Sequence, residues 1–317
     1  MNNRIKTLTL LFVVQLTLIF GLNISEWNGN AKREPSLLLE SATLEVDELI
    51  LSGRDNEMIH LIKKDNNWLI EEPLEFPADI DRVQRFLGLL AGLEVDMPIA
   101  DSSDARKRFR VNVDDFERRI ALFLKGEKKV ELFLGTSPGM RRIHARLADS
   151  DDIYAIPMSA YDAPIVARSW EDKSILSVSE DSILSLEIDG FTFLRSEADG
   201  TDGKPKASWI YGDLSDDRDL NEEAIQEFIA LIAKLTFDEV AFEGKNYDLE
   251  ESIFKVTVSI EGGQKIEYQF FGGENQGYSV SVSTRPELFK LTSYQAAPLF
   301  DAYKQKNFVS TVTEPDK

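Results

Sequence analysis

Apolar residues fall at the first, fourth, fifth, seventh, eighth and eleventh positions of residues 83–93, VQRFLGLLAGL, and again of residues 225–235, IQEFIALIAKL. This spacing puts one apolar stripe on a helix surface, so it predicts helices over 79–94 and 221–236 with Phe86 and Phe228 on the inner faces. Asp79 and Asn221 are the N-cap candidates. Each helix follows a strand-like segment with a tryptophan, NNWLI around Trp68 and ASWIY around Trp209, and leads to a short apolar-Asp segment, EVD at 94–96 and TFD at 236–238. Downstream, Ile120, Leu122 and Leu124 alternate with other residues as Val256, Val258 and Ile260 do, the period-2 pattern of a strand with one buried face. Gly-containing turns at 125–128 (KGEK) and 261–264 (EGGQ) lead to return strands KVEL at 129–132 and KIEY at 265–268. These run on to Gly135 and Gly272, and the series closes with IYAI and LFKL, then YDAP and YQAAP.

One matching helix could arise by chance. A whole series in the same order predicts a tandem duplication of an α+β unit: opening strands, one helix, three further strands, and a mostly antiparallel sheet covered on one face. The first unit opens with strands near 42–52 and 57–63, and the second near 183–195. The polar, Gly-rich segment 196–208 reads as a loop. The expected organisation is 40–165 for the first unit, 166–308 for the second, and a tail at 309–317.

The first 24 residues follow a different pattern. Arg4 and Lys6 precede TLTLLFVVQLTLIFGL, a charge-free run that with Ile5 and Ile24 is about 20 residues long, the span of a hydrocarbon core as helix. Basic residues before the run favour a cytoplasmic N-terminus. A cleaved signal peptide would need a small-residue site of A-x-A type, which GLNISEWNGNAKRE lacks. The expectation is one anchoring transmembrane helix in residues 1–24, an inner-membrane location, and a body outside the cytoplasm.

Composition narrows the function. The 317 residues carry 36 Lys and Arg against 56 Asp and Glu, net charge −20. Such a balance argues against a nucleic-acid partner, which requires clustered cations. The absence of cysteine removes disulfides, thiol nucleophiles and zinc ribbons. His60 and His144 are the only histidines, both in strand-like segments, and H-E-x-x-H, G-x-S-x-G and P-loop spacings are absent. GTDGK at 200–204 reads as a turn. Acidic groups at Asp149, Asp151 and Asp152, at Asp199 and Asp202, and at Asp213, Asp216, Asp217 and Asp219 do not follow the EF-hand order, and read as solvated turns. Among so many carboxylates the sequence selects no glycosidase pair. Trp68 and Trp209 could stack on sugars, but their repeated place before a helix points to packing. GGENQGY at 272–278 reads equally as a ligand contact or an inter-strand loop. No catalytic, cofactor or metal residue is assigned.

The Trp68 to Leu93 unit, the hairpin from Ile120 to Gly135, the joining segment ARSWEDKSIL at 167–176 and a short N-terminal anchor together resemble the bacterial domain of unknown function 4340 family. The resemblance implies a membrane-tethered extracytoplasmic protein associated with ABC-transporter components of gliding-motility or auxiliary type, and it brings no catalytic residues. The leading expectation is a non-enzymatic accessory or scaffold protein with a protein partner in a membrane complex. The alternatives are a glycan- or peptide-binding protein using a cleft between the repeats, and an enzyme acting on envelope polymers.

Overall fold

A computed structural model of the chain describes residues 36–39, 45–55, 57–72, 75–199, 205–212, 220–241, 252–273, 277–305 and 308, together with Phe12 and Gln15. The candidate span at 5–24 (those two residues aside), the acidic segment 213–219 and the tail at 309–317 lie outside the described residues. In chain order the elements are β1 (Ser36–Leu37), β2 (Glu48–Ser52), β3 (Met58–Lys64), β4 (Asn67–Glu72), β5 (Phe76–Pro77), α1 (Ile80–Ala91), β6 (Glu94–Val95), α2 (Ser103–Phe109), β7 (Arg118–Leu124), β8 (Glu127–Leu134), β9 (Ile143–Leu147) and β10 (Ile153–Ile156). They continue with β11 (Ile183–Ile188), β12 (Phe191–Asp199), β13 (Pro205–Tyr211), α3 (Glu222–Ala233), β14 (Glu239–Ala241), β15 (Phe254–Ile260), β16 (Lys265–Gly273), β17 (Gly277–Val282), β18 (Leu288–Leu291) and α4 (Ser293–Gln305). Short 3₁₀ turns occupy the stretch from Ala160 to Ser182. The paired strands run antiparallel, which makes this an α+β fold.

The chain divides into two compact units, one of residues 1–63 and 81–165, the other of residues 64–80 and 166–317. In the first, six strands of one sheet run in the order β10-β9-β8-β7-β2-β3. Leu49, Leu51, Ile59, Leu61, Ile120 and Leu122 fill its inner face, and all are at most 1% exposed. The β7–β8 turn is tight because Lys125 and Gly126 both take positive φ, 53° and 76°, the backbone a two-residue hairpin demands. Lys125 N–H is held there by the Asp47 carboxylate at 2.9 and 3.0 Å.

The second unit has an eight-stranded sheet in the order β13-β12-β11-β15-β16-β17-β18-β14. Helix α3 starts where Asn221 accepts a hydrogen bond from Ala224 N–H, and it buries Ile225, Phe228, Ile229 and Ile232. Phe228 meets Phe308 edge-on at 5.3 Å. The joining segment is built into this unit: Trp170 is fully buried, its carbonyl accepts from Asp79 N–H at 2.7 Å, and Tyr268 donates to the Leu176 carbonyl at 2.9 Å. Burial raises the Tyr268 hydroxyl pKa to about 12, so at neutral pH it stays protonated and able to donate.

Several expectations need correction. Residues 196–199 and 205–208 are not loop: β12 and β13 pair with Ser196 opposite Ser208 and Asp199 opposite Pro205, so ladder hydrogen bonds outweigh the polar composition. Each unit has four main strands after its helix, where three were expected; the extra ones are β9 and β17. Each also carries a second helix, α2 or α4. The first sheet is not covered on one face only, because the excursion at 97–117 packs Ala105 and Val111 against Phe133 and Ile153 on its other face.

Candidate functional site

The excursion over β8–β10 gathers buried and half-buried polar contacts around Arg146 and His144, and it is built from short-range signals. Ser102 caps α2 by accepting from Ala105 N–H, and Arg110 closes it with positive φ, its N–H reaching the Arg106 and Lys107 carbonyls. The loop then passes so close to β8 that a Cβ on Gly135 would lie 1.9 Å from the Phe109 carbonyl oxygen, which only glycine avoids. In the second unit the matched glycine, Gly272, is equally constrained, with φ 90° and the Gly277 carbonyl 1.9 Å from a Cβ.

Beneath the excursion lies Arg146, 4% exposed. Its Nε donates to the Val111 carbonyl at 2.8 Å, and its Nη1 donates to the Leu147, Ala148 and Ser150 carbonyls at 2.8, 3.4 and 2.9 Å. Its guanidinium also lies 5.1 Å from the centre of the Phe133 ring. A buried cation is tolerated because carbonyl dipoles replace its water. These contacts pin the excursion to the sheet, and they use the guanidinium for structure.

His144 lies on the same sheet face, with its ring stacked on Phe109 at 4.1 Å and its Nδ1 2.9 Å from the Thr136 hydroxyl. Burial lowers its pKa; a hydrogen bond to the Thr136 backbone opposes this, and the nearby Arg108 charge adds to it. A base held below its ordinary pKa contributes stability that is complete above about pH 6.5. That stability is lost as pH falls from there toward the folded-state value. Replacing His144 with Gln is therefore expected to flatten the decline in melting temperature between about pH 6.5 and 5; an unchanged slope in the variant would contradict this assignment.

His60 sits on β3 with Nε2 2.8 Å from the Glu48 carboxylate. Three strands separate β3 from β9, so the two histidines are about 19 Å apart at 4.8 Å per strand. That distance forbids a shared metal ion. Two aspartates of the Asp149–Asp152 cluster are engaged by the protein itself, Asp151 paired to Arg106 and Asp152 accepting from the Tyr154 hydroxyl at 3.3 Å. Trp68 and Trp209 are 5% and 3% exposed, so neither offers a ring face to a sugar. The Trp209 Nε1 donates to Gln226 of α3 at 3.0 Å.

Beside the excursion, Leu38, Leu39, Lys128 to Glu131 and Leu147 to Asp149 line a cavity of about 650 Å³. Burial would raise the Glu131 carboxyl, but hydrogen bonds and charge from Lys128 and Arg119, each 2.5 Å away, outweigh it and hold the pKa below the usual glutamate value. A carboxylate kept ionised in this way is a poor general acid. In the second unit, Glu187, Asp189, Lys255, Thr257 and Glu267 line a smaller cavity of about 390 Å³. There Asp189 accepts from the Tyr303 hydroxyl at 2.8 Å, and Lys255 faces Glu267 at 3.9 Å. The ionic groups with resolved pKa shifts have structural partners and do not converge on one point in a cavity.

Neither Arg146 nor the packing role of α2 was legible in advance. A charged residue inside HARLA reads as an exposed strand position, and SDARKRF offers only Ala105 and Phe109 as apolar points. One signal was present: Phe133 interrupts the alternation of Val130, Leu132 and Leu134, which implies that both faces of β8 are buried.

Among the described residues no helix is long and apolar enough to cross a membrane. No curated protein and no solved structure matches the chain. The sequence profile of one family, described as a domain of unknown function (DUF4340), matches residues 68–252, more than half of the chain. That match runs from the tryptophan strand β4 through both long apolar-striped helices and the joining segment. The chain belongs to the DUF4340 family.

Proposed function

We propose that this protein is a membrane-anchored extracytoplasmic accessory or scaffold subunit. Residues 1–24 hold it in the inner membrane as a single transmembrane helix. Two copies of one α+β unit, 40–165 and 166–308, present broad sheets to a protein partner in an ABC-transporter or envelope complex. It acts by binding and turns over no substrate.

The observation that supports this reading best is the repeated strand order. In one unit β3-β2-β7-β8-β9-β10 are neighbours in that sequence, and in the other β12-β11-β15-β16-β17-β18 follow the same plan. In both, the chain passes from strands to a 12-residue helix, then to a short strand and on to the antiparallel meander, with α2 intervening before the meander in the first unit. Duplication widens a binding surface without requiring a reactive centre. The arrangement of the buried and half-buried charges agrees with this, since Arg146, Glu131 and Glu287 each serve local structure, Glu287 through two contacts with Arg285 at 2.6 and 2.9 Å.

The test compares two variants in cells for rescue of a deletion of the gene. The double substitution His60→Gln with His144→Gln is expected to retain function. A form exported without residues 1–24 is expected to lose it, because tethering supplies the effective concentration at the membrane. An inactive but folded double variant, together with an active untethered body, would overturn the proposal in favour of an enzyme.

A further inference from the structure

Charge is distributed unevenly in this chain. Residues 105–146 carry twelve Lys and Arg against five Asp and Glu, a local excess of seven positive charges in a protein of net charge −20. The acidic residues of that stretch are mostly committed. Asp115 and Glu117 hold Arg110 at 3.0 and 2.8 Å, Glu131 holds Arg119 and Lys128, and Glu127 holds Lys129 at 2.6 Å. Arg106 pairs with Asp151, Arg118 donates to the Ala163 carbonyl, Arg146 is buried, and Lys125 lies in the β7–β8 turn; Lys107, Arg108, Arg141 and Arg142 are exposed and make no ion pair among the described residues.

Backbone contacts gather these four on one surface. Lys107 and Arg108 lie in the last turn of α2. Thr136 N–H donates to the Phe109 carbonyl, which brings that end of α2 against the start of the turn 136–142. The Arg108 guanidinium lies 4.6 Å from the centre of the Phe109 ring, which in turn stacks on His144, two residues after Arg142. The Ser137 hydroxyl braces the turn, lying 2.7 Å from both the Gly139 and the Arg142 carbonyl with one proton to donate between them, and Arg142 donates to the Ala155 carbonyl. At the tip, next to Arg141, is Met140, 94% exposed.

We propose that this surface docks on an anionic lipid bilayer, with Lys107, Arg108, Arg141 and Arg142 on headgroup phosphates and Met140 inserted at the interface. An apolar side chain at a tip flanked by cations fits the boundary between headgroups and acyl chains better than it fits the flat acidic face of a protein. The tether supports the same occupant. β1 pairs with β6, and β6 runs beside β10, the strand whose Ala155 carbonyl Arg142 holds. Only residues 25–35 separate Ser36 from the candidate span, at most about 40 Å of extended chain. This proximity rests on the anchor reading; the charge and the exposed methionine do not. Docking would fix the orientation of the first unit relative to the membrane.

The absence of cysteine allows a clean test. Full-length chain carrying Met140→Cys, labelled with an environment-sensitive fluorophore, is mixed with vesicles of phosphatidylcholine or of 7:3 phosphatidylcholine to phosphatidylglycerol. A label on Tyr294→Cys, a second exposed site, is the reference. The label at 140 is expected to move to an apolar environment only with the anionic vesicles, and to return to water in high salt. Adding Lys107→Gln and Arg141→Gln is expected to lower the docked-to-undocked ratio about thirty-fold, near five-fold per cation. Identical signals in both vesicle types would overturn the proposal. A response to polyglutamate and none to vesicles would do the same, assigning the surface to an acidic protein. Flotation with neutral vesicles reports the anchor separately, so a chain that fails to float with them but still docks on anionic ones would reject the anchor and keep this site.

Discussion

Arg146→Met is expected to destabilise the first unit by about 3–5 kcal/mol, although it replaces a charge with an apolar side chain of similar length. The substitution leaves the buried Val111 carbonyl without the Arg146 donor and takes a donor from the part-buried Leu147 and Ser150 carbonyls, of which Leu147 keeps the Ser150 N–H at 3.2 Å. Each buried acceptor left unpaired costs about 1–3 kcal/mol, and the apolar gain offsets only part of that. Denaturant unfolding would show a lower midpoint. Hydrogen exchange should quicken first in α2 and at residues 111–117, because Arg146 ties that loop to the sheet. Arg146→Lys is expected to rescue little, because one ammonium group cannot span the four carbonyls that the guanidinium reaches. A loss under 1 kcal/mol for Arg146→Met would mean that the loop is held by Ala105, Val111 and Phe133 alone.

The second large effect is expected at Trp170, where alanine should cost about 3–5 kcal/mol. The indole is fully buried in the joining segment, and the Trp170 backbone accepts from Asp79 N–H while Asp172 N–H donates to Pro77. Removing the ring leaves a cavity beneath the segment that makes both backbone contacts. The cost is therefore expected to appear as loosening of residues 76–79 as well as of the 3₁₀ turns at 167–176. Trp170→Phe should recover more than half of the loss. If Trp170→Ala were as stable as the parent, the joining segment would be a passive linker.

The two long helices were readable because their stripes repeat at helical spacing, and the structure places them at Ile80–Ala91 and Ile225's helix at Glu222–Ala233, a few residues inside the predicted limits. The hairpin β7–β8 was readable because Lys125 and Gly126 lie between two alternating runs. Helix α4 was not, since Pro298 inside it argues against helix, and the strands β12 and β13 were hidden by polar composition. The region around Arg146 depends on contacts between residues 35 positions apart, Val111 and Arg146, and no local pattern encodes them.

Duplication, anchoring and binding without turnover form one account, and its most exposed element is the N-terminus. The direct measurement is the intact mass of the protein from the membrane fraction, combined with protease digestion of intact cells and of cells with a permeabilised envelope. The account predicts the full-length mass, with the residues beyond 40 cleaved only after the envelope is opened while the cytoplasmic membrane stays sealed. A mature chain beginning near residue 25–35, or a body protected until the cytoplasmic membrane is lysed, would contradict it.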